Sequence, residues 1–315
     1  MSETLRYRRL ESEWARLTLR GADRVRFLGG MATCDIKNLS EGSGAYGALL
    51  TVKGKVIADF VVSQRGESGL LLLVRAQVAQ RVCEALEHYI IVDDVVVQKD
   101  SAELAHLGVY GDSAAVVLLG DSSASLTPYH HREQAGVTII ATRELGEHCF
   151  QVIGPAESVR AIEAQLVAAG ATELSEAESE VRRVEAGRPR CGIDFDEERL
   201  PQEASLEDAL CFTKGCFLGQ EVVVRLRDRG QLNRKLMGLR LAGDELPTAI
   251  KLSHPTRPQA GELTSVVRSP RFGIIALGYV HRSCWEPGTQ LDLVDAEGHS
   301  LGRTATVTTP PFAVA

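Results

Sequence analysis

No apolar run in this 315-residue chain approaches the length of a membrane span. Leu70–Val74 is among the longest, far below the roughly 20 residues that a bilayer-crossing helix needs. Basic charge is not in excess either: 35 Lys and Arg against 42 Asp and Glu leave a net charge of −7. No global field therefore draws the chain to nucleic acid or to an anionic membrane, and neither is expected as a partner. There is no Cys-x-x-Cys. The seven cysteines, at 34, 83, 149, 191, 211, 216 and 284, are odd in number and scattered. That usage predicts reduced thiols in a cytoplasmic protein rather than a disulfide framework. Cys211 and Cys216 lie five apart with nothing beside them to complete a tetrahedral set, so no metal site is expected. Met1–Arg6 offers no apolar stretch or cleavage site, which predicts no secretory signal. Short-period repeats and low-complexity segments are also missing.

What is present is an ordinary globular composition, 44% hydrophobic and 24% charged, at a length that suits two or three structural units. Glu13–Leu19 alternates as a strand does, and Asp23 stands as N-cap to a short helix over Val25–Leu28. Gly47–Val52 and Val56–Ser63 read as a hairpin turning at Lys53-Gly54, with Asp59 alone in an apolar strand. Ala79–Tyr89 is an amphipathic helix, and Val95–Val97 a strand. The pattern recurs: Leu104–Tyr110 strand, Ser113–Leu119 helix, Val137–Thr142 and His148–Ile153 strand pair, then a helix over Ser158–Ala169 with Val159, Ile162, Leu166 and Val167 on one stripe. His130-His131 falls in a loop and reads as surface. A further helix ends at Gly187 as a C-cap, and the glutamates between 173 and 180 read as a solvated face. From Gly238 onward, short strands and Pro/Gly turns predict a small β-barrel, with strands at Met237–Leu241, Gly261–Val267, Gly273–Val280, Gln290–Leu293 and Arg303–Val307.

The fold class this implies is α+β, with boundaries at 1–100, 101–170, 171–236 and 237–315. Two related α+β subdomains occupy the first two segments, and part of 171–236 completes the first. The last segment is the barrel.

One stretch does not read as structural filler. Lys214-Gly215-Cys216-Phe217-Leu218-Gly219-Gln220-Glu221 packs a cation, a thiol, two glycines, an amide and a carboxylate into eight residues. The glycines allow positive φ or close backbone approach, which suggests a tight turn presenting the thiol. A neighbouring ammonium favours the thiolate, making Lys214 and Cys216 a candidate reactive pair. A free cysteine is also commonly a small buried apolar residue. Val222-Val223-Val224 reads as a buried strand or the start of a buried element, and on a strand Arg225, Arg227 and Arg229 would point one way.

In this motif the chain resembles the folate-binding YgfZ family, a branch of the group typified by the glycine-cleavage T-protein, an aminomethyltransferase. Its hallmark, Lys-Gly-Cys-Tyr/Phe-x-Gly-Gln-Glu, is matched at residues 214–221. The resemblance extends through Arg183, Glu185, Gly187, Pro189 and Leu200-Pro201-Gln202-Glu203. It continues in Arg225, Arg229-Gly230, Arg234-Lys235-Leu236, Gly261–Ser265 and Ala276–Val280. It implies a ring of the two α+β subdomains and the barrel around a central channel that holds tetrahydrofolate or a one-carbon derivative. Glu185 matches the glutamate that holds the pterin, or else marks an exposed helix end. Arg225 and Arg229 are candidates for the folate tail or an anionic partner, or else a solvated face, and Gln220 joins the cofactor-binding set. Asp35 matches a recurrent Thr-x-Asp opening or is a helix-end cap. The T-protein's catalytic Asp lies in a motif opening Asn-Ala. The corresponding Val74–Gln80 lacks that pattern, which argues against classical aminomethyl transfer. The implied role is assembly or repair of iron–sulfur clusters in client proteins, tRNA-modifying enzymes among them, with Cys216 and Lys214 as the reacting groups. A tetrahydrofolate-dependent one-carbon transferase and a folate-binding scaffold without turnover are the alternatives.

Overall fold

The structure, a computed structural model, describes residues 4–100, 104–120, 126–247 and 250–313. The expected boundary at 100/101 abuts residues outside that set. The chain divides into two compact units, Met1–Ser175 with Asp208–Gln220, and Glu176–Glu207 with Glu221–Ala315.

The first unit runs β1 (Arg6–Arg9), β2 (Trp14–Arg20), α1 (Arg24–Met31), β3 (Gly44–Leu50), β4 (Val56–Gln64), β5 (Leu70–Arg75), α2 (Ala79–Glu87), β6 (Val96–Lys99), β7 (Leu104–Tyr110), α3 (Ala114–Leu119), β8 (His131–Gln134), β9 (Val137–Thr142), β10 (Cys149–Pro155), α4 (Ala156–Ala168) and β11 (Thr172–Glu173). Two sheets result, ordered β3-β4-β5-β2-β6 and β11-β1-β7-β10-β9-β8. β5 sits between β4 and β2, and Leu70–Val74 is buried on both faces, which is why its apolar run does not alternate. The predicted hairpin is β3–β4, with Gly54 at φ 73° in its turn. On α4, Val159, Ile162 and Leu166 are buried as the stripe predicted, but Val167 is 52% exposed. The chain crosses between sheets at Leu10–Glu13, and Leu10, Trp14, Val61, Leu71, Leu73, Ile140 and Ile153 form a core shared by strands of both.

The second unit holds α5 (Glu176–Glu185), most of α6 (Gln220–Arg229) and the strands β12 (Arg234–Leu241), β13 (Lys251–His254), β14 (Arg257–Ser269), β15 (Gly273–His281), β16 (Gln290–Val294) and β17 (Ser300–Thr308). These strands close a barrel in the order β12-β15-β14-β13-β16-β17. Within the barrel the strand missed from sequence is β13, only four residues long and followed at once by Pro255. Gly187 takes φ 67° after α5, as the C-cap reading required, and a Cβ there would meet Pro310 at 2.2 Å.

Three local expectations are corrected. Residues 220–229 are helical, so the run Val222–Val224 is no strand; only Val223 is buried, and the three arginines do not share a face. His131 is buried at 6% exposure, because it enters β8 rather than a surface loop. Asp23 precedes α1 but makes no side-chain cap; its carboxylate accepts the Asp94 amide at 2.9 Å instead.

Candidate functional site

The stretch around Cys216 is fastened to the last turn of α1. The Thr33 hydroxyl donates to the Ala209 carbonyl at 2.6 Å, and the Cys211 amide donates to Thr33 O at 3.0 Å. The Lys214 ammonium donates to Gly29 O at 2.8 Å and Ala32 O at 2.5 Å, and the Leu218 amide to Gly30 O at 2.9 Å. Carbonyls at a helix C-terminus have no intrahelical partner and carry partial negative charge, so a cation fits there. Phe217 is buried beneath, its ring centroid 5.3 Å from the Lys214 ammonium. Gly219 adopts φ +79°, and a Cβ there would come within 2.5 Å of Thr51 O and 3.0 Å of Gly54 Cα. Between the Lys214 and Leu218 anchors, Gly215 and Cys216 are exposed. The turn thus presents the Cys216 thiol to solvent, as the spacing predicted. Of the two glycines only Gly219 is sterically required, since a Cβ on Gly215 would meet nothing within 4 Å.

Lys214 is held at the end of α1. Its ammonium bonds the α1 carbonyls. Burial lowers its pKa, while Cys34, Asp35 and Cys211 oppose that effect, so these are the groups whose charge it feels. Buried Cys34 is pushed by desolvation up to about 12. For Cys211, burial raises the pKa, but the Thr213 hydroxyl, 3.4 Å from the sulfur, and the backbone amides of Thr213 and Lys214 outweigh it, and the thiol is lowered. Sequence reading passed over Cys211 as a reactive thiol, although Cys-x-Thr is a short motif that turns a hydroxyl back on the sulfur. The Asp35 carboxylate accepts the Asn38 side-chain amide at 2.6 Å and its backbone amide at 3.3 Å, the local cap that was one of its two readings.

The remaining predicted residues lie elsewhere. Gln220 opens α6. Arg225 pairs with Glu221 one turn earlier at 2.5 Å, with both side chains largely in solvent, and Arg229 is exposed. Glu185, the last residue of α5, is half-buried: Ser269 Oγ donates to it at 2.5 Å and Arg271 lies 3.5 Å away. Its neighbour Arg183, 1% exposed, donates to Asp194 at 2.7 Å, Ser265 at 2.6 Å and the Arg188 carbonyl at 2.5 Å, a network that fixes the end of α5. The Gln202 side-chain amide donates to Val223 O at 2.9 Å, tying Leu200–Glu203 to α6.

Sequence reading missed a buried polar seam in the first unit. The Tyr46 hydroxyl donates to Asp59 at 2.9 Å, and Tyr46 stacks on Tyr129 at 5.5 Å. The Arg75 guanidinium covers the Trp14 ring at 4.0 Å and lies 3.5 Å from Glu13 and 3.7 Å from Glu144. Tyr110 and Gln151 donate to Glu144, and His106 joins Gln151 at 3.0 Å. Asp59 Oδ1, His106 Nδ1, Trp14 Nε1 and Thr142 Oγ1 are buried with no protein hydrogen-bond partner. Burial raises the Asp59 carboxyl, with Tyr46 and Arg75 opposing, and lowers His106 to about 3. Only Asp59, alone in its apolar strand, gave a sequence signal; the rest of the seam is distributed over strands of both sheets. Among the described residues, no three His, Cys, Asp or Glu side chains gather as a metal site, and no helix is long and apolar enough to cross a membrane.

Residues 11–214 match the GCVT N-terminal domain and residues 234–313 the glycine cleavage T-protein C-terminal barrel domain. The chain belongs to the glycine-cleavage T-protein family. Within that family it is 32% identical, over 283 residues, to an aminomethyltransferase of Rubrobacter xylanophilus, covering 85% of this chain and 74% of that protein. It is 30% identical over 242 residues to the tRNA-modifying protein YgfZ of Serratia proteamaculans, covering 75% of this chain and 72% of that protein. The crystal structure of glycine cleavage system aminomethyltransferase T from Bartonella henselae superposes with a TM-score of 0.86 at 22% identity, over 98% of this chain and 86% of that one. The T-protein fold expected from the hallmark stretch is therefore the fold of this chain.

Proposed function

We propose that this member of the T-protein family is a folate-binding accessory protein for the assembly or repair of iron–sulfur clusters in client proteins, including enzymes that modify tRNA. It works with tetrahydrofolate or a one-carbon derivative and through Cys216. The observation that carries this reading is the Cys216 thiol: it is exposed in a turn anchored on both sides to α1, so a rigid element delivers a nucleophile to solvent. Lys214 acts beside it by holding the turn through its bonds to Gly29 O and Ala32 O.

The residues fit a folate chemically. A pterin edge carries donors that suit a carboxylate, and its ring nitrogens and carbonyl are acceptors. Asp59 Oδ1, His106 Nδ1 and Trp14 Nε1 are buried polar atoms with unused hydrogen-bonding capacity, and native interiors rarely leave such groups unmet. Glu185, from its match to the family's pterin glutamate, is the second carboxylate to test. Gln220 stays in the cofactor set, and Arg225 and Arg229, both solvent-facing, would take the anionic tail. Bound folate would supply one-carbon chemistry; the chain's part is to hold it and to present the thiol.

Calorimetry with tetrahydrofolate on wild type, Glu185→Gln and Asp59→Asn tests the first half. At least one substitution should weaken binding tenfold or more, and equal affinities throughout would remove the folate reading. Complementation of a deletion strain tests the second half: Cys216→Ala should fail to restore iron–sulfur enzyme activity, and full restoration would remove the thiol. A one-carbon transferase is the second reading, favoured by the 32% identity to an aminomethyltransferase over 85% of this chain. Robust methylene transfer from an aminomethylated carrier protein to tetrahydrofolate would establish it.

A further inference from the structure

The barrel carries a cleft of about 870 Å³ that the reading above does not use. Five stretches of the second unit line it, at 233–234, 251–252, 257–262, 279–281 and 294–298. Arg234 lies at the start of β12, Glu262 on β14 and Tyr279 on β15, all three lining the cleft. Glu203 reaches Arg234 Nε at 3.4 Å, and its carbonyl accepts the Leu236 amide at 2.8 Å.

Tyr279 is only 2% exposed, yet its hydroxyl has no hydrogen-bond partner in the protein. A buried hydroxyl without a partner costs on the order of 1–3 kcal/mol, so phenylalanine would serve the packing of this strand against Val184 of α5 and Leu236 as well or better. The Tyr279 ring is capped by the Arg199 guanidinium at 4.2 Å. Arg199 and Lys251 both engage Glu262, at 2.8 and 3.1 Å, so one carboxylate faces two cations. Arg257 lines the cleft, is exposed and makes no ion pair among the described residues. Of the cleft's other carboxylates, Asp295 accepts the Glu297 and His299 amides of its own turn, at 3.0 and 2.8 Å, and only Glu297 stands free in solvent. Arginine forks suit planar oxyanions, and the cleft volume falls within the roughly 300–1,000 Å³ of small-molecule sites.

We propose that this cleft binds a small organic oxyanion, phosphate- or carboxylate-bearing, with Arg257 and Arg234 on the anion and the Tyr279 hydroxyl donating to the ligand. The site lies wholly within the second unit and stands apart from the folate reading.

The test uses the full chain without folate and titrates two probes by calorimetry, adenosine 5′-monophosphate and triglutamate. Saturable binding of one of them, weakened about tenfold or more by Arg257→Ser and by Tyr279→Phe, supports the site, and which probe binds identifies the source of the oxyanion. The melting temperature separates function from packing: Tyr279→Phe should melt no lower than wild type, because it removes only an unpartnered hydroxyl. Binding of neither probe, binding indifferent to both substitutions, or a lower melting temperature for Tyr279→Phe with binding intact would overturn the proposal. None of these outcomes bears on tetrahydrofolate affinity, which is measured separately.

Discussion

The Lys214 ammonium lies 2.8 Å from the carbonyl oxygen of Gly29, in the last turn of α1. With the Ala32 carbonyl at 2.5 Å it closes a helix terminus that would otherwise leave acceptors unmet. Lys214→Met retains the stem and removes both bonds. It should destabilise the fold by about 1.5–3 kcal/mol, the usual scale for hydrogen bonds to a charged group, seen as a lower denaturation midpoint. An unchanged midpoint would deny Lys214 its anchoring role.

The two glycines of the hallmark stretch should respond differently. Gly219→Ala forces a Cβ against Thr51 O at 2.5 Å at φ +79°, so a loss of roughly 1–3 kcal/mol is expected. Gly215→Ala meets nothing within 4 Å and should leave the midpoint nearly unchanged. Equal losses would contradict the geometry.

Arg183 and Asp194 form a buried pair at 2.7 Å, with side-chain exposures of 1% and 0%. Removing one partner strands the other charge. Arg183→Met should therefore cost about 3–5 kcal/mol, read by chemical denaturation. A loss under about 1 kcal/mol would contradict the buried pairing.

The polar seam should give stability two opposite pH slopes. His106, held neutral by burial down to about 3, contributes stability present above the ordinary histidine range and lost as pH falls from about 6.5 toward about 3. Asp59, raised by burial, binds its proton more tightly in the fold than in the unfolded chain, so stability falls as pH rises through the ordinary carboxyl range. His106→Gln should flatten the acid limb of a stability–pH profile. Asp59→Asn should raise the midpoint at pH 7. The reverse signs would show that neither group is buried as described.

Thiol labelling distinguishes three cysteines. Cys34, buried and pushed up to about 12, should resist iodoacetamide at pH 7 in the native protein. Cys216 should label readily because it is exposed. Cys211, lowered by its Thr213 and Lys214 donors despite partial burial, should label with a pH midpoint below that of a free thiol. Mass spectrometry after timed alkylation reads all three, and preferential labelling of Cys34 would be incompatible with the structure.

Much of the molecule was legible in the chain. Gly54 marked the β3–β4 turn, the stripe Val159–Ile162–Leu166 marked α4, and Pro/Gly spacing marked most of the barrel. Residues 220–229 were misread because a Val-Val-Val run is the usual strand signal. Yet Glu221 and Arg225, four apart and oppositely charged, are the helical spacing, and Val223 and Gln202 fix that choice only in the folded chain. His131 was misplaced because a polar pair reads as surface unless a neighbouring strand covers it.

The sequence by itself determined the family, the α+β class, the barrel and the exposed thiol, because glycine and proline constraints, apolar periodicity and a contiguous motif are local properties. The tertiary structure alone decided what each polar side chain does. It turned Lys214 toward the end of α1, made Cys211 the sulfur met by donors, and gathered Asp59, Arg75, His106 and Glu144 from distant strands into one seam. A hydrogen bond or a burial penalty depends on which atoms lie within a few ångströms, and that proximity exists only once the chain has closed on itself.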